Sequence, residues 1–168
     1  MWILDVESKK GVLAAHSVSP LNLIELSYFA SIKPQAMSNL NYVFPFFIVE
    51  HVQPSVAFYV NMLGFEVRHM APADDPYWAI VGRDNISIML KAITAEIKPV
   101  PNHTRHPWAA WDAFISTADP DVLFEEYRSR GLAFRHPIMD NHDGLRGFEL
   151  EDADGYVLFF GRPMANEK

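Results

Sequence analysis

Cysteine is absent from the 168 residues. That removes disulfides, thiolate nucleophiles and Cys-held metals together, and it suits a reducing compartment. No apolar run approaches the roughly 18 residues that a membrane-spanning helix needs. The opening Met1-Trp2-Ile3-Leu4-Asp5-Val6-Glu7 has acids where a secretory signal wants bases, which argues against export. The expectation is a cytoplasmic protein with no membrane partner. Basic side chains are the minority, 14 Lys and Arg against 21 Asp and Glu, for a net charge of −7. That deficit argues against nucleic acid, whose phosphates call for Lys and Arg. It favours a cationic ligand, although acidity also serves solubility.

Hydrophobic residues make up 49% of the chain, with twelve Phe and four Trp, enough for a packed core without staples. The chain is organised around Tyr42 to Leu90. Tyr42 to Val49 is an apolar, β-branched and aromatic run of strand length. Pro54 suits the first turn of a helix. Val56, Tyr59, Val60 and Leu63 then recur at helical spacing and make one apolar face. Gly64 stands where a helix C-terminus favours positive φ. Strands follow at Phe65 to Met70, Tyr77 to Val81 and Ile86 to Leu90, with a hairpin turn at Gly82-Arg83-Asp84-Asn85.

After a Pro-bearing linker the pattern returns. Trp111 to Thr117 is a strand, Asp119-Pro120 is an N-cap followed by proline at N1, and Val122, Leu123 and Tyr127 give the helix a modest apolar face. Gly131 ends it. Strands are expected at Leu132 to Pro137, from Gly147 to Leu150, and at Tyr156 to Phe160, the last after a tight Asp152-Ala153-Asp154-Gly155 turn. The fold class is therefore α+β: two β-α-β-β-β modules, about 42–91 and 109–161, within a domain of residues 39–165. Residues 1–38 match neither module. Asp5, Glu7 and Glu25 balance Lys9, Lys10 and Lys33, so the whole −7 lies beyond residue 36. This segment is expected to be a loosely packed extension, to precede a natural start at Met37, or to dock a helix at Leu21 to Ala30.

Phe58-Tyr59…Leu63-Gly64-Phe65 in the first module, and Gly147-Phe148-Glu149-Leu150…Asp152-Ala153-Asp154-Gly155 in the second, resemble the glyoxalase/bleomycin-resistance/dioxygenase superfamily, the vicinal oxygen chelate fold. The resemblance covers about Tyr42 to Pro163. It implies a mixed sheet curled into a cup that holds ligand or metal. It does not imply one activity, since such a fold hosts lyases, dioxygenases and binding proteins. The family's enzymes usually hold a divalent metal on His and Glu of the first, fourth, fifth and eighth strands. The matching positions here are Phe44, Met89, Asp112 or Ala113, and Phe159. Only Asp112 could bind a hard cation. The resemblance thus points to the metal-free bleomycin-resistance branch, a homodimer that sequesters a bulky cationic antibiotic between subunits.

Site residues follow from that resemblance and from strand alternation: Phe44, Phe46, Met89 and Phe159 as an aromatic, apolar wall, or simply as core. Trp78, Trp108 and Trp111 are further ligand-wall candidates, Trp108 and Trp111 serving equally as cover for a dimer interface. Of the seven histidines, His103 and His106 sit in a Pro-rich loop, and His51 and His69 read as surface residues. His136 reads as a strand end, and His142 belongs to an acidic turn. Arg146 and Glu149 could pair across a strand or hold ligand. No phosphate loop or nucleophile elbow is present.

The expected function is metal-independent binding and sequestration of a small organic, cationic ligand, with no catalytic residues, no metal and no cofactor. Two alternatives stand beside it. One is a lyase or dioxygenase with a relocated metal, using Asp112 with His142 or His103. The other is a structural or regulatory module whose cup is filled by its own side chains.

Overall fold

The computed structural model describes residues 42–164, and the expectations placed on residues 1–38 lie outside them. The order is β1 (Phe46–Ile48), α1 (Val52–Asn61), β2 (Glu66–Ala71), β3 (Trp78–Arg83) and β4 (Ile86–Lys91), then a 3-10 turn at Asn102–Thr104. The second series is β5 (Ala113–Ser116), α2 (Pro120–Ser129), β6 (His136–Asp140), β7 (Leu145–Glu151) and β8 (Val157–Pro163). Each β-α-β-β-β series makes a mixed four-stranded sheet, in the orders β1-β4-β3-β2 and β5-β8-β7-β6. The first strand of each runs parallel to the last, and the remaining pairs are antiparallel.

Local chemistry explains the helices. α1 carries Pro54 in its first turn, and it stops where Gly64 takes a φ of 70°. Its buried stripe is Val52, Val56 and Tyr59, continued by Leu63. At α2 the Asp119 carboxylate accepts from the backbone N–H of Asp121 and of Val122 at 3.1 Å, Pro120 is the first helical residue, and Gly131 closes the helix at φ 79°. The apolar face of α2 differs from expectation: Phe124 and Tyr127 are buried, whereas Val122 points to solvent. The strand expected at Leu132 to Pro137 also moves. Leu132 and Phe134 plug the core before any ladder forms, the Arg135 N–H donates to the Glu149 carbonyl, and β6 begins at His136.

One cluster joins the modules. It takes in Phe47, Val49, Ala79, Val81, Ile88 and Leu90 of the first module and Ile115, Phe148, Leu150, Leu158 and Phe160 of the second, with each helix packed on its own sheet. Strands alternate their side chains, so the opposite face of each sheet points away from this core. The Asp152-Ala153-Asp154-Gly155 turn fastens the joint. The Tyr59 hydroxyl donates to Asp152 Oδ2 at 2.7 Å, and Asp154 accepts from Ser55 Oγ and from the Glu50 N–H. Tyr156 stacks on Phe47 at 4.3 Å and donates to the Ile48 carbonyl at 2.7 Å. At the other end Arg83 grips Glu126 with two N–H groups, at 2.9 and 2.8 Å.

Asp152 carries a pH signature. Burial pushes its carboxyl up to about 6, outweighing the stabilising donors from Tyr59, Tyr156 and Asp154. Between the ordinary carboxyl value and pH 6 the native protein therefore holds a proton that the unfolded chain has released. Lowering the pH from 7 to 4 adds about 2 kcal/mol of stability through this one group. Denaturant unfolding of the protein and of Asp152→Asn at several pH values checks it. The difference in stability between the two should shift in favour of the unsubstituted protein as pH falls, and parallel pH profiles would refute the assignment.

Candidate functional site

The two outward sheet faces are aromatic. On the first, Phe46 lies beside Met89 in the parallel β1–β4 register, and Met89 lies beside Ile80 of β3. Phe46 is 51% exposed although it sits within a strand. Trp78 stands opposite Lys91 and packs on the His69 ring at 4.7 Å. Phe44 precedes β1 and stacks on Tyr42 at 4.8 Å.

On the second sheet, Phe114 of β5 lies beside Phe159 of β8, while Glu149 and Gly147 of β7 face Phe159 and Gly161. Phe159 points away from the shared core and is nonetheless fully buried. Its ring lies flat over Gly147 and Gly161, where an added Cβ would stand 2.5 Å from a ring atom at either position. Glycine is required there for a steric reason, not for an unusual backbone angle. Trp111 stacks on Phe159 at 4.2 Å, and Phe114 lies 5.5 Å away and is 47% exposed. The three rings form one aromatic floor.

Beside that floor opens a cleft of about 700 Å³, walled by Trp108, Trp111, His136, Met139 and Glu149. Glu149 is the buried polar centre. It accepts from Trp111 Nε1 at 2.7 Å, which fixes the indole, and meets His136 Nδ1 at 2.7 Å through its other oxygen. Arg135 Nε stands 3.6 Å from Glu149, and its terminal nitrogen engages Glu151. Trp108 is 84% exposed at the rim, its ring 5.6 Å from that of His106.

Several expectations change. The pairing of Arg146 with Glu149 does not form: Arg146 bridges Asp121 and Asp140, which holds the Asp121 carboxyl below its ordinary range. His136 starts a strand and is anchored by Glu149. Sequence reasoning missed Phe114 and left Glu149 undecided. Strand alternation opposite the buried Ile115 was the signal available for Phe114, and Glu149 alternates with the core residues Phe148 and Leu150 in the same way.

The strand register sets other residues beside two of the inferred metal positions. The residue beside Met89 is Phe46, not Phe44, and the residue beside Phe159 is Phe114, not Asp112 or Ala113. Phe46, Met89, Phe114 and Phe159 include no ligand for a hard divalent cation. Asp112 spends both oxygens on backbone, accepting from the N–H of Asn102 at 2.9 Å and of Val157 at 2.8 Å. His142 is exposed in its turn, and His103 belongs to the 3-10 turn with Nδ1 buried and unpartnered. Among the described residues no three His, Asp or Glu side chains gather as a metal site. The residues do not fit the metal of the family's enzymes.

Known proteins place this geometry. A model of the Glyoxalase/Bleomycin resistance protein/Dioxygenase superfamily matches residues 39–160. No curated protein matches the chain. Among solved structures, the bleomycin-binding protein from bleomycin-producing Streptomyces verticillus, complexed with copper(II)-bleomycin, is 24% identical. The match covers 77% of this chain and 100% of that one, at a TM-score of 0.55. TnmS3, an antibiotic-binding protein from Streptomyces sp. CB03234, is 21% identical over 75% of this chain and 98% of its own, at 0.53. A glyoxalase-related enzyme from Clostridium phytofermentans is 14% identical over 77% and 100%, at 0.60. Similarity at these identities extends to the fold. The chain belongs to the Glyoxalase/Bleomycin resistance protein/Dioxygenase superfamily.

Proposed function

We propose that this protein binds and sequesters a small organic ligand on its aromatic sheet faces, without a metal and without covalent chemistry. The observation that carries the reading is the set Phe46, Met89, Phe114 and Phe159 on the sheet faces turned away from the core, with Phe46 and Phe114 about half exposed. Half-exposed aromatics on a flat strand face favour burial by a planar partner. The ligand wall comprises Phe44, Phe46, Trp78, Met89, Trp108, Trp111 and Phe159, with Phe114 added. The −7 charge favours a cationic ligand by raising its local concentration. The bleomycin-binding protein and TnmS3 support a bleomycin-resistance-like role at the level of shared fold.

Among the described residues Phe46 and Phe114 stay about half exposed, so the acting unit on this reading is a cytoplasmic homodimer in which each face is completed by a second copy, through the domain of residues 39–165. The burial of Phe159 favours a second reading, in which the cup is filled by its own side chains and the domain is structural or regulatory. Ligand titration separates them. Trp108 and Trp111 line the cleft, so metal-free bleomycin and a panel of planar aromatic cations should include a compound that quenches tryptophan emission saturably. EDTA should leave that binding unchanged, and Phe114→Ser should weaken it about tenfold. Absence of saturable quenching across the panel would contradict binding, and loss of binding on chelation would contradict metal independence.

The floor makes its own prediction. Gly161→Ala would place a Cβ 2.5 Å from the Phe159 ring and 2.6 Å from the Arg146 carbonyl oxygen. Overpacking of this kind costs about 1–3 kcal/mol, measurable by urea unfolding. The same substitution should weaken ligand binding by tilting Phe159. An Ala variant with unchanged stability and affinity would show that the floor does not set the site.

A further inference from the structure

The cleft beside the aromatic floor carries polar chemistry that an apolar wall does not need. The Glu149 side chain is only 9% exposed, and its two oxygens are divided between two ring nitrogens, Trp111 Nε1 and His136 Nδ1, each at 2.7 Å. An indole nitrogen only donates, and an ionised carboxylate only accepts. His136 must therefore carry its proton on Nδ1, which leaves the lone pair of the neutral ring on Nε2. Nε2 has no hydrogen-bond partner among the described residues, and its half-exposed ring lines the cleft between Trp108, Trp111 and Met139. Arg135, the one Lys or Arg of that lining, is engaged with Glu149 and Glu151.

We propose that His136, with its tautomer set by Glu149, is the oriented hydrogen-bond acceptor beside the indoles, apart from the solvent-exposed His142–Asp143 pair on the same lining, and that the cleft selects planar aromatic ligands bearing a hydroxyl group. This deepens the binding reading above and rests on it. The indoles supply area to stack a flat ring, and Nε2 accepts the hydroxyl proton in a hydrogen bond at the edge of that ring. A methyl ether of the same ring stacks equally well but has no proton to give, and it leaves Nε2 desolvated and unpaired.

Calorimetric titration with 2-naphthol and 2-methoxynaphthalene tests it, the ether reporting the integrity of the cleft. The unsubstituted protein should prefer 2-naphthol by about tenfold. His136→Phe should bind the two probes with equal affinity, so that the preference is lost whatever the change in overall affinity. Glu149→Gln makes a sharper demand. Because the Trp111 indole only donates, the carbonyl of the substituted amide must face it, which turns the amide N–H₂ toward His136 Nδ1. The imidazole proton then moves to Nε2, an acceptor becomes a donor, and the preference for the hydroxyl should vanish or reverse.

Equal affinity of the unsubstituted protein for both probes, or a preference that survives in His136→Phe, would overturn the inference and leave the aromatic cleft standing. A preference unchanged in Glu149→Gln would overturn the role given to Glu149. Failure of both probes to bind would overturn the aromatic-stacking premise together with this inference.

Discussion

The buried cluster that runs through both sheets and both helices is the constraint on which the rest depends. Each sheet buries one face in it, held by α1 and α2 and latched by Asp152, Asp154 and Arg83. A strand places successive side chains on opposite faces, so committing Phe47, Ile88, Ile115 and Phe160 to the core commits Phe46, Met89, Phe114 and Phe159 to the other side. A slip of one residue in any strand would exchange the two sets. The aromatic faces are thus a consequence of how the core is packed, and among the described residues the same packing leaves Phe46 and Phe114 about half exposed.

Those faces decide the chemistry. At the paired positions Phe46, Met89, Phe114 and Phe159 this chain offers three phenylalanines and a methionine, none of them a ligand for a hard cation. The carboxylates that remain nearby have other work: Asp112 caps two backbone amides, and Glu149 organises Trp111 and His136. What survives is a surface for stacking, edged by a small number of oriented polar atoms. Such a site can hold a flat molecule and discriminate among hydrogen-bonding patterns, and it needs no reactive group for either purpose.

Much of the fold was legible because its punctuation is local. Pro54, Gly64, the Asp119-Pro120 cap and Gly131 bound the helices within three residues, and both modules could be counted from them. β6 was misplaced because Leu132 and Phe134 look like strand residues yet reach the core ahead of the ladder. The site was less legible. Counting residues from a motif gave Phe44 and Asp112 or Ala113, whereas the residues paired with Met89 and Phe159 are Phe46 and Phe114, and pairing is a non-local property. Glu149 could not be assigned from sequence because its partners lie 38 and 13 residues away. The burial of Phe159 depends on two glycines that matter only once β7 and β8 are side by side.

Native mass spectrometry of protein purified without added metal or chelator tests the central claim most directly, since it weighs subunits and retained ions together. The account predicts a dimer that carries no stoichiometric divalent ion and gains mass on adding a ligand found by tryptophan quenching. One tightly held divalent ion per chain, surviving dialysis, would contradict it and return the chain to the metal-dependent members of its family.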